Sequence, residues 1–190
     1  MQIERLDIED ILMLLPVRRC DERGFFSETY RSETLAAEGI RAEFVQDNHV
    51  YSAEKGVLRG LHFQAPPRAQ GKLVRCIRGA ILDVGVDIRT GSPTYGRHVA
   101  VELSAENWRQ VWVPPGFAHG YLTLAAHCEV LYKATDYWAP DCERAIAWND
   151  PALSIDWGLT ASEIILSDKD RRNPSLAELE PVFYYDQRNI

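Results

Sequence analysis

The densest group of chemically versatile residues in this sequence is the segment LRGLHFQ (58–64), with QGKLVR (70–75) shortly after it. Residues 55–82 contain six Lys or Arg and no Asp or Glu, whereas average composition gives about four acids in such a stretch. This local excess of positive charge predicts a site for an anion. A lone histidine is more often a core residue with satisfied hydrogen bonds, but the neighbouring bases favour a functional role for His62.

The two polar residues of the first segment conflict with simple strand geometry. Arg59 and His62 are three positions apart, so in a regular strand they point to opposite faces. A β-bulge between them would bring both to one face, and Gly60 is a plausible position for it. The sequence therefore predicts a bulge at Gly60 if both residues belong to one site.

The segment WVPPGFAHGY (112–121) contains the pattern P-x-G-x-x-H, which is similar to the second motif of the cupin superfamily, where the His is a metal ligand. The corresponding first motif would be His62-Phe63-Gln64, with one His and no nearby acid. Zinc and iron sites usually need at least three N, O or S ligands. We therefore predict that the protein binds no metal.

The segment EVLYKATDYWAP (129–140) adds aromatic residues. Tyr132 and Trp138 share a face if the strand runs unbroken, and Trp138 adjoins a proline-containing turn that would place it at the rim of a site. An exposed aromatic ring beside a basic pocket is a natural stacking platform for a base or a sugar. Packing in the core is an equally common role for any one of these rings.

The elements that must position these residues are short β-strands. Apolar residues alternate with other residues in ILDVGVDIR (81–89), HVAVELS (98–104) and QVWV (110–113), and turn residues separate the runs every 8 to 12 positions or so. This spacing predicts an all-β sandwich or barrel, and a sandwich closed on itself, such as a jelly roll, has a concave interior that offers a pocket. Short flanking helices are predicted at residues 33–38, capped by Ser32, and at residues 176–180, capped by Ser175.

Length and composition bound the remaining possibilities. The 190 residues, 46% hydrophobic and 26% charged, predict one globular domain, with a jelly-roll core at about 45–150 and with N-terminal strands and C-terminal short helices packed on it. The apolar run at 11–17 is shorter than the roughly 20 residues of a membrane span, and the acidic N-terminus is unlike a secretory signal. These features predict a cytoplasmic protein whose four cysteines are reduced and mostly buried.

The net charge of −7 argues against binding to nucleic acid or to an anionic membrane. Residues 55–128 nevertheless carry nine bases and four acids, a balance of +5, while the flanks carry twelve bases and twenty-four acids, a balance of −12. A basic interior inside an acidic shell can admit one nucleotide diphosphate but not a continuous polyanion.

Eight ordered motifs closely resemble one family, the dTDP-4-dehydrorhamnose 3,5-epimerases. They are DERGFFSE (21–28), QDN (46–48), GVLRGLHFQ (56–64), QGKLVRC (70–76), DVGVDIR (83–89), WVPPGFAHGY (112–121), EVLYKATDYWAP (129–140) and LSDKD (166–170). The resemblance implies an all-β isomerase with the cupin-type double-stranded β-helix, or jelly roll. Such an enzyme needs no cofactor and inverts C3 and C5 of a dTDP-linked 4-keto-6-deoxyhexose through enolates.

The resemblance also implies roles for individual residues. The family's catalytic base corresponds to His62, its proton donor to Tyr132, the partner of the base to Asp170, and the cation beside the keto oxygen to Lys72. Contacts to the nucleotide sugar, with stacking on thymine by Trp138, are carried over to Arg23, Phe26, Glu28, Gln46, Asn48, Arg59, Lys72, His119, Trp138 and Glu143.

Family members are usually homodimers in which the N-terminal segment joins the partner's sheet, so Arg23 and Glu28 would act across the interface. Three alternatives remain open on the sequence. They are an epimerase acting at C3 or C5 alone, a non-catalytic cupin that binds nucleotide or carbohydrate, and a metal-dependent cupin enzyme. A Trp at position 138, where relatives often have Phe or Tyr, leaves the base selectivity open.

Overall fold

The computed structural model describes residues 1–185 and shows a sandwich of antiparallel β-sheets. The six-stranded sheet has the order β1 (Gln2–Arg5), β2 (Leu12–Leu15), β10 (Gln110–Val113), β7 (Lys72–Arg78), β12 (Cys128–Ala134) and β5 (Gln46–Ser52). The five-stranded sheet has the order β13 (Glu143–Ala145), β6 (Leu58–Gln64), β11 (Phe117–Thr123), β8 (Ala80–Asp87) and β9 (His98–Ser104). A separate hairpin consists of β3 (Arg19–Asp21) and β4 (Gly24–Phe26). The predicted all-β jelly roll is confirmed.

Apolar side chains fill three layers around the two sheets. Val74 and Val111 of the six-stranded sheet meet Ile81 and Leu103 of the five-stranded sheet in the central layer. The outer face of the five-stranded sheet is covered by the C-terminal segment, which contributes Ile146, Leu153, Trp157, Ile164 and Leu176. Strand β8 is therefore apolar on its outer face as well, because the chain returns to cover it.

The short helices differ in detail from the prediction. Helix α1 (Ser32–Ala37) begins at Ser32, and the N-cap is Arg31, which makes no side-chain capping bond. The predicted cap at Ser32 is therefore wrong. The cap at Ser175 is confirmed, because Ser175 and Glu178 form a capping box, but it starts a 3₁₀-helix of only three residues, Leu176–Glu178.

The cysteines are free thiols, as predicted, but they are less buried than predicted. Cys76 and Cys128 are buried, Cys142 is partly buried and Cys20 is exposed on the hairpin. Within residues 1–185, the structure contains no helix long and apolar enough to cross a membrane.

The predicted bulge is present in β6. Where β6 pairs with β11, the register shifts so that Gly60 and Leu61 stand opposite Gly120 alone. Gly60 has a φ of +126°, and a Cβ atom there would lie 2.6 Å from the Cα atom of Gly120. Only glycine fits this close approach, and the bulge turns Arg59 and His62 into one cavity.

Candidate active site

A cavity of about 290 Å³ opens between the two sheets. Strands β5, β6, β7, β11 and β12 line it, together with the segment 167–170. Alternation along the strands accounts for this lining, because every second side chain points into the sandwich. Six of the residues singled out in the sequence meet here: Arg59, His62, Lys72, His119, Tyr132 and Asp170.

His62 and Asp170 form a hydrogen-bonded pair at the wall of the cavity, with Nε2 of His62 2.5 Å from Oδ1 of Asp170. Ser167 donates a hydrogen bond of 2.8 Å to the other carboxylate oxygen. Burial alone would raise the pKa of Asp170, but the hydrogen bond and charge of His62, with the bond from Ser167, hold it below its ordinary value. The carboxylate therefore stays ionised, orients the imidazole ring and stabilises it when it gains a proton.

A second His–Asp pair involves an acid that the sequence reasoning missed. Nε2 of His119 lies 3.0 Å from both carboxylate oxygens of Asp83, and both side chains are buried. Asp83 holds the His119 ring in one orientation. A signal was present in the sequence, because Asp83 interrupts an apolar strand on the face opposite Val84.

Lys72 places its ammonium group in the same cavity. Burial lowers the pKa of Lys72 to about 8, while the charges of Asp83 and Glu143 act in the opposite direction. At neutral pH Lys72 is therefore still a cation. In the cavity it can stabilise an anion that develops on a ligand.

Tyr132 projects into the cavity from β12 and is partly buried. Burial raises the pKa of the Tyr132 phenol, the Arg59 charge lowers it, and Glu143 raises it again, with a net rise. The phenol therefore stays protonated over the whole neutral range and remains able to donate a proton.

Four further predicted residues lie near the cavity but are not part of its lining. Trp138 lies beyond the end of β12 and is 59% exposed, so the strand does not run unbroken to it. Its backbone N–H donates to Gln46, whose side-chain amide in turn donates to Asn48 at 2.9 Å. Glu143 forms an ion pair with Lys169, with Oε2 of Glu143 2.7 Å from Nζ of Lys169. The Asn48 amide nitrogen is buried and without a partner among residues 1–185, so it can still donate to a ligand.

Three predicted residues are not brought to the cavity of the same chain. Arg23 lies at the turn of the β3–β4 hairpin and pairs with Asp21, while Glu28 pairs with Arg31 at 2.7 Å. Phe26 is 72% exposed on the same hairpin. Within one chain, therefore, this hairpin is an exposed element with large apolar and charged side chains.

The structure also shows lining residues that sequence reasoning did not select. Tyr121 of β11 and Val50 of β5 lie at positions whose side chains face the cavity. Ser167 and Lys169 belong to the LSDKD segment. Their role depends on which strands become neighbours, which alternation does not reveal. Among residues 1–185, no three His, Cys, Asp or Glu side chains are placed to share a metal ion.

The interior of this jelly roll places a His–Asp pair, a lysine and a protonated tyrosine around one cavity. This combination of fold and site defines a cupin-like enzyme that uses general acid–base catalysis. The sequence profile described as dTDP-4-dehydrorhamnose 3,5-epimerase matches residues 5–178. The chain belongs to this family of isomerases.

Individual relatives agree with this assignment. A dTDP-4-dehydrorhamnose 3,5-epimerase of Pseudomonas aeruginosa is 51% identical over 181 residues, which are 95% of this chain and 98% of the relative. A crystal structure of dTDP-6-deoxy-D-glucose-3,5-epimerase from Legionella pneumophila in complex with dTDP-4-keto-L-rhamnose has a TM-score of 0.93 and 44% identity, covering 97% of this chain and 98% of that one. A 3'-monoepimerase from Streptomyces bikiniensis in complex with dTDP-quinovose has a TM-score of 0.83 and 35% identity, covering 91% and 87%.

Proposed function

We propose that this protein inverts both C3 and C5 of dTDP-4-dehydro-6-deoxy-D-glucose and so forms dTDP-4-dehydro-L-rhamnose. The observation that carries the proposal is the placement of the His62–Asp170 pair and the Tyr132 phenol in one cavity. Membership of the 3,5-epimerase family and 51% identity to a named relative support it further.

The chemistry of the substrate explains why these groups are needed. C3 and C5 both adjoin the C4 ketone, so removal of either C–H proton gives an enolate whose negative charge lies on the keto oxygen. Inversion requires that a proton leave one face of the carbon and that another arrive on the opposite face. One base, one acid and one oxyanion stabiliser therefore complete the reaction.

We assign these roles to three side chains of the cavity. The neutral imidazole of His62 removes the proton and becomes imidazolium, which Asp170 stabilises. Lys72 stabilises the enolate oxygen, and the Tyr132 hydroxyl delivers a proton to the other face of the carbon. The C–H electron pair moves into the enolate and returns to form the new C–H bond. Solvent then takes the extra proton from the His62 imidazolium and returns a proton to the Tyr132 phenolate.

The remaining predicted residues would hold the nucleotide. Arg59 and Arg23 are suited to the diphosphate because a guanidinium binds phosphate bidentately. The exposed ring of Trp138 offers a platform for thymine. The other contacts would come from Gln46, Asn48, His119, Glu143, Phe26 and Glu28.

The proposal is tested by incubating the protein with dTDP-4-keto-6-deoxyglucose in D₂O and following C3 and C5 by NMR. Deuterium at both carbons is the expected result. Deuterium at one carbon alone would identify a single-position epimerase, like the 3'-monoepimerase of Streptomyces bikiniensis. Binding of dTDP without any exchange would identify a non-catalytic binding protein. Loss of activity in EDTA with recovery on addition of one metal would support a metal-dependent enzyme; we expect no loss.

The lowered pKa of Lys72 predicts an unusual pH dependence. Because burial lowers the pKa of Lys72 to about 8, kcat/KM should fall about tenfold per pH unit above that value, as the cation that stabilises the enolate is lost. The raised pKa of Tyr132 keeps this phenol from causing the same decline. In Lys72→Arg, whose guanidinium stays charged, the decline near pH 8 should disappear even though activity is lower. A decline at the same pH in both proteins would contradict the role of Lys72.

We further propose a homodimer in which the β3–β4 hairpin of each subunit completes the site of the other. Its support is the exposure of Arg23, Phe26 and Glu28 away from the cavity of their own chain. Mixing Arg23→Ala with His62→Ala after dissociation should restore activity, because each mixed dimer has one site free of both substitutions, roughly a quarter of all sites. Each variant reassociated with itself is the control. If mixing restored no activity, Arg23 and His62 would belong to the site of the same subunit.

The expected location in the cytoplasm stays a prediction from the sequence. It is consistent with a nucleotide-sugar substrate.

A further inference from the structure

Tyr121 is a buried tyrosine of the cavity that the proposed mechanism does not use. Its side chain lies on β11, is 4% exposed and lines the cavity. The hydroxyl oxygen is buried and has no hydrogen-bond partner among residues 1–185. A buried phenol is normally hydrogen-bonded, so an orphaned hydroxyl in a ligand cavity points to a partner supplied by the ligand.

Among residues 1–185, no neighbouring side chain accepts a hydrogen bond from this hydroxyl. The guanidinium of Arg59 has donors only, and the carboxylate of Asp83 pairs with His119 and not with Tyr121. Burial raises the pKa of Tyr121, and the charge of Arg59 only partly opposes this rise. Tyr121 therefore remains a neutral phenol with one free O–H donor.

The position of Tyr121 indicates which part of the ligand it meets. In the pairing of β6 with β11, Tyr121 stands directly opposite Arg59, and both side chains line the cavity. Arg59 is exposed and Tyr121 is buried, and a ligand in the cavity that both residues line can meet the two donors. A phosphate oxygen has enough lone pairs to accept from a guanidinium and a phenol together.

We propose that the Tyr121 hydroxyl donates a hydrogen bond to a diphosphate oxygen of the bound nucleotide sugar. This inference rests on the proposed function, in which Arg59 binds the same diphosphate. Tyr121 is then a binding residue that holds a part of the substrate remote from the reacting carbons.

The test is Tyr121→Phe, which removes one oxygen and keeps the ring in its packing. The dissociation constant for dTDP should rise roughly 10- to 100-fold, the effect of losing one hydrogen bond to a charged group, while binding of thymidine is unchanged. KM should rise with kcat nearly unchanged, because the diphosphate is held equally in the ground state and the transition state. The melting temperature should not fall, since the lost hydroxyl had no partner in the protein. Tyr95→Phe, a substitution of a surface tyrosine between β8 and β9, is the matched control.

Three results would overturn the inference in different ways. An unchanged affinity for dTDP in Tyr121→Phe would show that the hydroxyl contacts no phosphate. A fall in kcat with intact dTDP binding would place the hydroxyl at the sugar instead. If the wild-type protein itself bound no dTDP, the proposed function would fail together with this inference.

Discussion

Replacing His62 by Asn is expected to lower kcat/KM by roughly 10²- to 10⁴-fold and to abolish the incorporation of deuterium at C3 and C5, the loss expected for a general base. Asn can keep a hydrogen bond to Asp170 but cannot accept a proton from carbon. The effect is large because both inversions begin with removal of a proton, the step assigned to the His62 imidazole that Asp170 orients.

The measurement is solvent exchange by NMR together with titration of dTDP. Binding of dTDP should be retained, because the site of proton removal lies apart from the proposed nucleotide contacts. His49→Asn is the matched control, since His49 is an exposed histidine that also pairs with a carboxylate, Glu129. Exchange that persisted at the wild-type rate in His62→Asn would remove His62 from the role of base. Asp170→Asn should lower the rate as well, because the imidazolium loses its ionised partner.

Replacing Tyr132 by Phe should separate exchange from inversion. His62 can still remove a proton and return a deuteron to the same face, so deuterium should enter the substrate while its configuration is kept. Formation of the inverted product should fall roughly 10²- to 10⁴-fold, because no acid remains on the opposite face. The raised pKa of Tyr132 ensures that the wild-type phenol carries the proton that this step needs.

This second experiment compares the rate of deuterium uptake with the rate at which the inverted sugar appears. The Tyr95→Phe variant should leave both rates at wild-type values. Loss of exchange and inversion together in Tyr132→Phe, with the fold intact, would instead assign Tyr132 to proton removal. Unchanged inversion would mean that water or another group delivers the second proton.

Several features of this protein followed from local sequence. The alternation in β8, β9 and β10 predicts strands because every second side chain of a strand faces the same side. The bulge at Gly60 was predictable because only such an irregularity brings Arg59 and His62 to one face. The motifs of the 3,5-epimerase family were sufficient to predict the family, which the comparison with its profile confirms.

Other features depended on contacts between distant segments. The helix at Ser32 begins one residue earlier than predicted, since local capping preference is weak beside the packing of Leu35 against the sheet. The role of Asp83 could not be predicted from alternation. Alternation shows that Asp83 and Val84 point to opposite faces of β8, but it does not show that His119 lies beside Asp83. The position of the β3–β4 hairpin could not be predicted either, because the local sequence does not determine which surface the exposed Phe26 contacts.

The sequence by itself determined the strands, the basic central segment and the chemical identity of the groups, because periodicity, charge and side-chain type are local properties. Only the tertiary structure decided that His62 and Asp170, 108 positions apart, share a hydrogen bond. It also decided that Lys72 is desolvated and that the Tyr121 hydroxyl lacks a partner. Distances and burial arise when remote strands pack together, and the reactivity of a side chain depends on both.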